Sequence, residues 1–291
     1  MDIIRSIADF KYKWKQWKQN DVTVGFVPTM GYLHQGHTSL MERARQECDI
    51  VVISIFVNPL QFGPNEDFEQ YPRDEQRDVT IAREAGVDVV FIPDVKEMYG
   101  SGMKTNIAVS DITSVMCGAN RPGHFDGVAT VVNKLFHIVR PDKAYFGMKD
   151  AQQVAVVTQM VLDLSMDVEI VPCDIIREED GLAMSSRNKY LKPEERKQAL
   201  ILSDSLMKVH KWIEEGVTVA QLKQLITAHV DVVPLSEIQY VALYTYPGLK
   251  ELPAKQKVMD IQETIIVALA VMFGTTRLID NVVIYGGEHR V

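Results

Sequence analysis

Residues Ile50–Val57, IVVISIFV, restrict the fold more than any other segment. All but Ser54 are apolar and most are β-branched. So short a run has no polar face to offer water, which suits a strand covered on both sides, as in a parallel sheet. Val22–Val27, Val87–Ile92, Lys143–Phe146 and Val168–Val171 have the same character. Helical patterns separate them at Thr38–Glu47, Asp74–Ala85, Val128–Val139 and Asp150–Leu164. In the third, Val128, Val131, Val132, Leu135 and Val139 form one buried stripe. This alternation predicts a doubly wound, Rossmann-like α/β domain over residues 1–175, with ligands bound beyond the carboxyl ends of the strands.

After Asp174 the pattern changes. A polar, Gly181-containing stretch leads into Lys192-Pro193-Glu194-Glu195, which opens a helix expected to run to about Glu215. A second helix at Val219–Val230 and strands near Ile238–Tyr244, Thr264–Met272 and Arg277–Ile284 complete a smaller α+β domain, residues 176–291. Two ordinary domains also suit a chain of 291 residues that is 46% hydrophobic and 24% charged.

Lys and Arg number 31 against 39 Asp and Glu, a formal charge of −8. This argues against a protein that grips nucleic acid with its whole surface. An anion site must instead concentrate a few cations, so the basic residues inside motifs carry the information. Cys48, Cys117 and Cys173 are scattered and lack zinc-ligand spacing, as expected of reduced, buried thiols. The N-terminal stretch has no apolar signal core. The apolar stretch Thr264–Phe273 is well short of the roughly 20 residues that cross a bilayer. A cytoplasmic, non-membrane protein is expected.

The chemistry-bearing segment follows the first long strand: Pro28-Thr29-Met30-Gly31-Tyr32-Leu33-His34-Gln35-Gly36-His37-Thr38-Ser39. A strand, a glycine turn, two histidines three apart and a helix follow in order. Ser39 and Glu42 have capping-box spacing, which puts the helix start close to His37. A helix N-terminus offers N–H groups and partial positive charge to phosphate, Gly36 permits close backbone approach, and His34 and His37 can donate to phosphate oxygens. The competing reading is that the histidines only cap or pack the helix; a metal site lacks a third ligand at matching spacing. Asn58 and Gln61 follow the next strand, where neutral amides can orient a hydroxy acid. Gly147-Met148-Lys149-Asp150 opens another helix, with Lys149 as a point charge for a triphosphate and Asp150 in the first turn. A lone lysine there is otherwise a solvated surface residue. In Met184-Ser185-Ser186-Arg187 the serines can donate hydrogen bonds and the planar Arg187 fork suits phosphate; the bland alternative is a domain linker.

These segments resemble the HxGH nucleotidyltransferase superfamily and, through PTMGYLHQGH, FVNPLQFG at Phe56–Gly63, Tyr71-Pro72-Arg73, RPGHFDGV at Arg121–Val128, Gly147-Met148-Lys149-Asp150, Gln152-Gln153 and Met184-Ser185-Ser186-Arg187-Asn188, the pantothenate synthetase (pantoate–β-alanine ligase) family. Met148 and Ala151 depart from its usual polar or acidic and aromatic residues. The resemblance implies an AMP-forming carbon–nitrogen ligase with ATP as substrate and Mg²⁺ on its phosphates. It implies ATP contacts from Met30 through His37 (Tyr32, Leu33 and Gln35 included), from Gly147 to Asp150, from Ile176 and from Met184 to Arg187. It places Gln61 on both pantoate and β-alanine, and Gln153 on pantoate. Asp67, Asp74, Asp78 and Asp150 are unranked candidates near the metal.

The resulting expectation is that pantoate is adenylated and then condensed with β-alanine, releasing pyrophosphate and AMP. His34, His37, Lys149 and Arg187 would stabilise the charge, with His37 a candidate proton donor. The first domain would bind ATP and pantoate and the second would act as a lid. A homodimer is implied, with no nucleic acid or membrane partner. The rivals are an adenylyltransferase of coenzyme biosynthesis that keeps AMP in its product, and a nucleotide-binding module without catalysis.

Overall fold

The computed structural model describes residues 1–18, 21–64 and 66–286; positions 19, 20, 65 and 287–291 of the two expected domains lie outside it. Two compact units are resolved. The first comprises Met1–Ser114, Gly118–Met148 and Val156–Asp174, and the second Val115–Cys117, Lys149–Ala155 and the chain from Ile175 onward.

The first unit is built on six parallel strands: β1 (Asp2–Ile4), β2 (Val24–Thr29), β3 (Ile50–Ile55), β4 (Val89–Phe91), β5 (Lys143–Gly147) and β6 (Glu169–Cys173). Their order is β1-β4-β3-β2-β5-β6. From β2 the chain winds outward through β3 and β4, then returns to lay β5 on the other flank of β2. The switch point therefore falls between β2 and β5, where the crevice of such a sheet opens. β2 is buried almost throughout, as its apolar run requires. One face of the sheet packs Val27, Val51, Ile53 and Val90 with Leu40, Met41 and Ala44 of the helix at Gln35–Glu47. His124–Val139 buries the stripe read from its sequence. The edge strand β1 and the helix Ile7–Lys18 that follows it had no counterpart in the sequence pattern.

The second unit carries an antiparallel sheet, β7 (Ser236–Thr245), β8 (Ile265–Phe273) and β9 (Thr276–Ile284), in that order. Val267, Leu269 and Val271 of β8 pack with Leu202, Leu206, Val209, Ile213, Leu222 and Ile226 from the helices. The expected single helix to Glu215 is three consecutive segments, Pro193–Ala199, Ile201–Met207 and Val209–Glu214. The Ser203 and Ser205 hydroxyls donate back to the carbonyls of Leu200 and Leu202, competing with regular helix bonding. No described helix is long and apolar enough to cross a membrane. Cys48 and Cys117 are buried and Cys173 half-buried, all as free thiols; burial pushes the Cys173 thiol up to about 11.

Candidate active site

In the first unit the turn after β2 is built from both ends. Gly31 and Tyr32 both take positive φ, 83° and 52°. A Cβ on Gly31 would approach Asp78 Oδ2 and Ile55 Cγ2 to 2.9 Å, so glycine is required there on steric grounds as well. Thr29 Oγ1 donates to Ser54 O and accepts from Gly31 N. Asp78, on the helix Glu75–Glu84, accepts the N–H of Tyr32 at Oδ2 and that of Leu33 at Oδ1, each at 2.7 Å. Arg77 donates to Leu33 O and lays its guanidinium over the Tyr32 ring. Burial pushes the Asp78 carboxyl up, against the pull of the two N–H donors.

The helix that follows starts at Gln35, earlier than Ser39 and Glu42 imply, because the histidines themselves form the capping box. His34 Nδ1 accepts from Gly36 N at 3.1 Å, and His37 Nδ1 accepts from His34 N at 3.3 Å. Ser39 instead donates to Gly36 O. The two rings lie 4.1 Å apart. An imidazole nitrogen that accepts carries no proton, so each neutral ring is the Nε2–H tautomer, a donor. The first helical turn contains no acidic residue, leaving the positive end of the dipole uncompensated. Capping uses Nδ1 of each ring and phosphate donation would use Nε2, so the two readings of the motif are compatible.

After β3, Asn58 caps the turn Pro59–Gln61. It is 1% exposed. Its oxygen accepts from Leu60 N and the Tyr99 hydroxyl, and its amide donates to Gln61 Oε1 and Gly127 O. All four positions are filled, and the Leu60 donor and Gly127 acceptor fix which way the amide faces. The sequence expectation is that Asn58 orients the substrate; in the structure its side chain is buried and bonds Gln61, the other amide of that expectation. The half-buried Gln61 also bonds Met30 Sδ through Nε2.

The Arg121–Val128 block, to which the sequence assigned no task, holds the same turn. His124 Nδ1 donates to Gln61 O at 2.8 Å, and Arg121 donates to that carbonyl and to His124 Nε2. Arg121 is fixed by a two-pronged bond to Glu66. Burial pushes the Glu66 carboxyl up, but Arg121 outweighs it and holds the carboxyl below its ordinary range. A Cβ at Gly127 would lie 2.2 Å from Leu60 O, so glycine is what allows the turn to seat on its helix. The signal was available: a glycine one turn into a helix, beside a histidine and an arginine.

In the first unit, then, Gln61 meets Met30 at the start of the Met30–His37 segment, and Gly147 ends β5, the strand beside β2, with Met148 directly after it. The second unit gathers the rest. Lys149 and Asp150 lead into the helix Ala151–Asp163. Gln152 is buried and donates to Val115 O while accepting from Cys117 N; its neighbour Gln153 is half-buried. Ile176 and Met184 pair through Met184 N–H···O=C Ile176 at 3.0 Å, closing a hairpin whose turn has Gly181 at φ 93°. Ser185 caps the turn Ser186–Tyr190 by accepting from Arg187 N. Asn188 donates to Glu178 and Ala183 O, and Arg196 bonds Glu178 and Asp180. Among the described residues no three His, Cys, Asp or Glu side chains gather to hold a metal. Asp74 caps its helix and both oxygens of Asp78 are taken by backbone N–H groups.

A parallel sheet with the HxGH turn at its switch point defines a Rossmann-like nucleotidyltransferase-type domain. The pantoate–β-alanine ligase family profile matches residues 2–283. Pantothenate synthetase of Acetivibrio thermocellus is 54% identical over 98% of this chain and 99% of its own length. The Clostridium acetobutylicum enzyme of that name is 52% identical, covering 97% and 98%. The crystal structure of pantothenate synthetase from Thermus thermophilus superposes with a TM-score of 0.88 at 45% identity, over 98% of this chain and all of that one. A Francisella tularensis pantoate–β-alanine ligase, solved with β,γ-ATP and β-alanine, gives 0.76 at 34% identity over 97% of each chain. The chain belongs to the pantoate–β-alanine ligase family.

Proposed function

We propose that the chain condenses pantoate with β-alanine at the expense of ATP through pantoyl adenylate. Family membership over nearly the whole chain supports a ligase over an enzyme that retains AMP in its product. The single observation that carries the mechanism is the histidine capping box, which makes two imidazole Nε2–H donors at the positive end of a helix.

Pantoate is already a carboxylate at neutral pH, so its attack on the α-phosphorus needs no general base. A bond forms between the carboxylate oxygen and the α-phosphorus, the bond from that phosphorus to the oxygen bridging the α- and β-phosphates breaks, and pyrophosphate leaves. The β-alanine amine then attacks the acyl carbon, loses a proton and expels AMP. The protein's task is alignment and stabilisation of phosphate charge. We assign the latter to His34, His37, Lys149 and Arg187, with His37 able to pass a proton to the leaving group. Gln61, held by Asn58, Arg121 and His124, takes the small substrates, and Gln153 takes pantoate. ATP enters as its Mg²⁺ complex. Mg²⁺ keeps waters and favours phosphate oxygens, so a chain with no carboxylate cage among its described residues suits an ion carried mainly by the substrate. A homodimer in the cytoplasm completes the reading, supported by the resemblance; light scattering of the purified chain checks the oligomer.

The test is product identification from ATP, Mg²⁺, D-pantoate and β-alanine. Pantothenate, AMP and pyrophosphate in equal amounts are expected, with pantoate-dependent ATP–pyrophosphate exchange when β-alanine is left out. Retention of AMP in the product would overturn the reading.

A further inference from the structure

The strand β9 carries two neighbouring buried polar residues, Asp280 and Asn281, 2% and 5% exposed. Neither was singled out by the sequence. The Asp280 carboxylate takes both Arg177 Nη atoms, at 2.7 and 3.1 Å, and its own strand's Asn281 N–H at 2.8 Å. Arg177 lies across the bridge from Ala183, between Ile176 and the hairpin turn, and donates also to Gly181 O. The hairpin it fixes leads straight into Met184-Ser185-Ser186-Arg187. On the other side, Asn281 Nδ2 donates to Lys149 O at 3.0 Å.

Successive residues of a strand face opposite sides. Asp280, in line with the core residues Leu278 and Ile284, reaches the hairpin. Asn281 reaches Lys149 at the start of the segment Lys149–Ala155, and Arg277, in line with it, donates to Cys117 Sγ of the segment Val115–Cys117. β9 also packs against the turn Ser186–Tyr190.

We infer that Asp280 and Asn281 are positioning residues that set the register between two separate cationic segments, Lys149–Asp150 and Ser185–Arg187, so that both charges meet one polyphosphate. The inference rests on the reading of Lys149 and Arg187 as phosphate-binding groups. A bidentate carboxylate–guanidinium pair fixes orientation as well as distance, whereas a packing residue would fix only volume. Long Lys and Arg side chains gain from having their backbone roots fixed, since misplacement by about 1 Å can cost on the order of a hundredfold in rate.

The experiment uses the full chain with Asp280→Asn, Asn281→Ala and the apolar pair Arg177→Met with Asp280→Leu, which removes the charges together and leaves none buried alone. Each is compared with Lys149→Ala and Arg187→Ala for melting temperature, KM for ATP in pyrophosphate exchange, and KM for β-alanine. The expected result is a KM for ATP raised on the order of tenfold or more, with the KM for β-alanine within about twofold. In double-mutant cycles, Asp280→Asn adds little to Arg187→Ala, and Asn281→Ala adds little to Lys149→Ala. A lowered melting temperature with unchanged KM for ATP, or full additivity in both cycles, overturns the inference. If Lys149→Ala and Arg187→Ala leave KM for ATP untouched, the phosphate-binding assignment falls, and the inference with it. If these raise it and the β9 variants do not, the inference falls alone.

Discussion

Asp78 Oδ1 lies 2.7 Å from the amide nitrogen of Leu33, 45 residues earlier in the chain, and its other oxygen takes the amide of Tyr32. A single carboxylate thus closes the left-handed turn that precedes the histidines. Asp78→Asn replaces one acceptor with an NH₂ group facing a backbone N–H. A loss of about 1.5–3 kcal/mol is expected, as for a buried hydrogen bond to a charged group. Denaturant unfolding measures it, and adenylate formation should fall alongside. A variant as stable and active as the parent would deny Asp78 this role.

His34→Asn separates capping from chemistry. Asn is a good N-cap, so the helix should keep its start and the melting temperature should move little. Without the Nε2–H donor, pyrophosphate exchange should drop by about 10²–10³-fold, the usual range for a preorganised donor. His37→Ala should show a similar kinetic loss. Near-parental exchange in His34→Asn would reduce the pair to a cap.

Gln61→Ala should spare ATP binding and raise KM for pantoate and β-alanine. Equal weakening of all three substrates contradicts the assignment. Asn58→Ala should reproduce the kinetic change and in addition lower stability, because it strands the Tyr99 hydroxyl and Leu60 N–H that it now satisfies.

Gly127→Ala forces a methyl group against the Leu60 carbonyl, 2.2 Å from where its Cβ would stand. The Pro59–Gln61 turn must lift from its helix. The expected outcome is a higher KM for the small substrates than for ATP and a lower melting temperature. An unchanged variant would mean that the turn shifts without consequence.

Glu47 should contribute to the acid sensitivity. Its bond to Arg43, then that to Lys143, holds its carboxyl at about 2, against an ordinary 4.5. A carboxyl depressed on folding stabilises the protein above its unfolded value and loses that contribution as pH falls through the folded one. The contribution is therefore complete above pH 4.5 and fades towards pH 2. Melting curves of Glu47→Gln should be flatter than the parent's across this window; parallel curves would assign the acid limb to other groups.

How far the sequence could be read follows from how local each cause is. Ile50–Ile55 and His124–Val139 were legible because burial on all sides or along one stripe dictates every residue in them. β1 was not, since three residues paired only to β4 leave almost no pattern. The histidine motif was legible as chemistry, yet its helix start was misplaced, because Ser39 and Glu42 imitate a capping box that His34 and His37 already form. Asn58 reads in the sequence as a substrate contact, and its bonds to Leu60, Gln61, Tyr99 and Gly127 are visible only in the fold. Asp78, Asp280 and Asn281 act through partners distant in sequence, so no local spacing could announce them.

The return of the chain to the far flank of β2 has a consequence for biogenesis. Until Lys143–Gly147 leaves the ribosome, β2 has β3 as its one pairing partner and its second edge, on an apolar strand, stays open. An open edge of that kind recruits other chains. Nascent fragments ending before β5 are thus expected to be aggregation-prone and chaperone-dependent; β5 covers the β2 edge, and its own outer edge waits for β6.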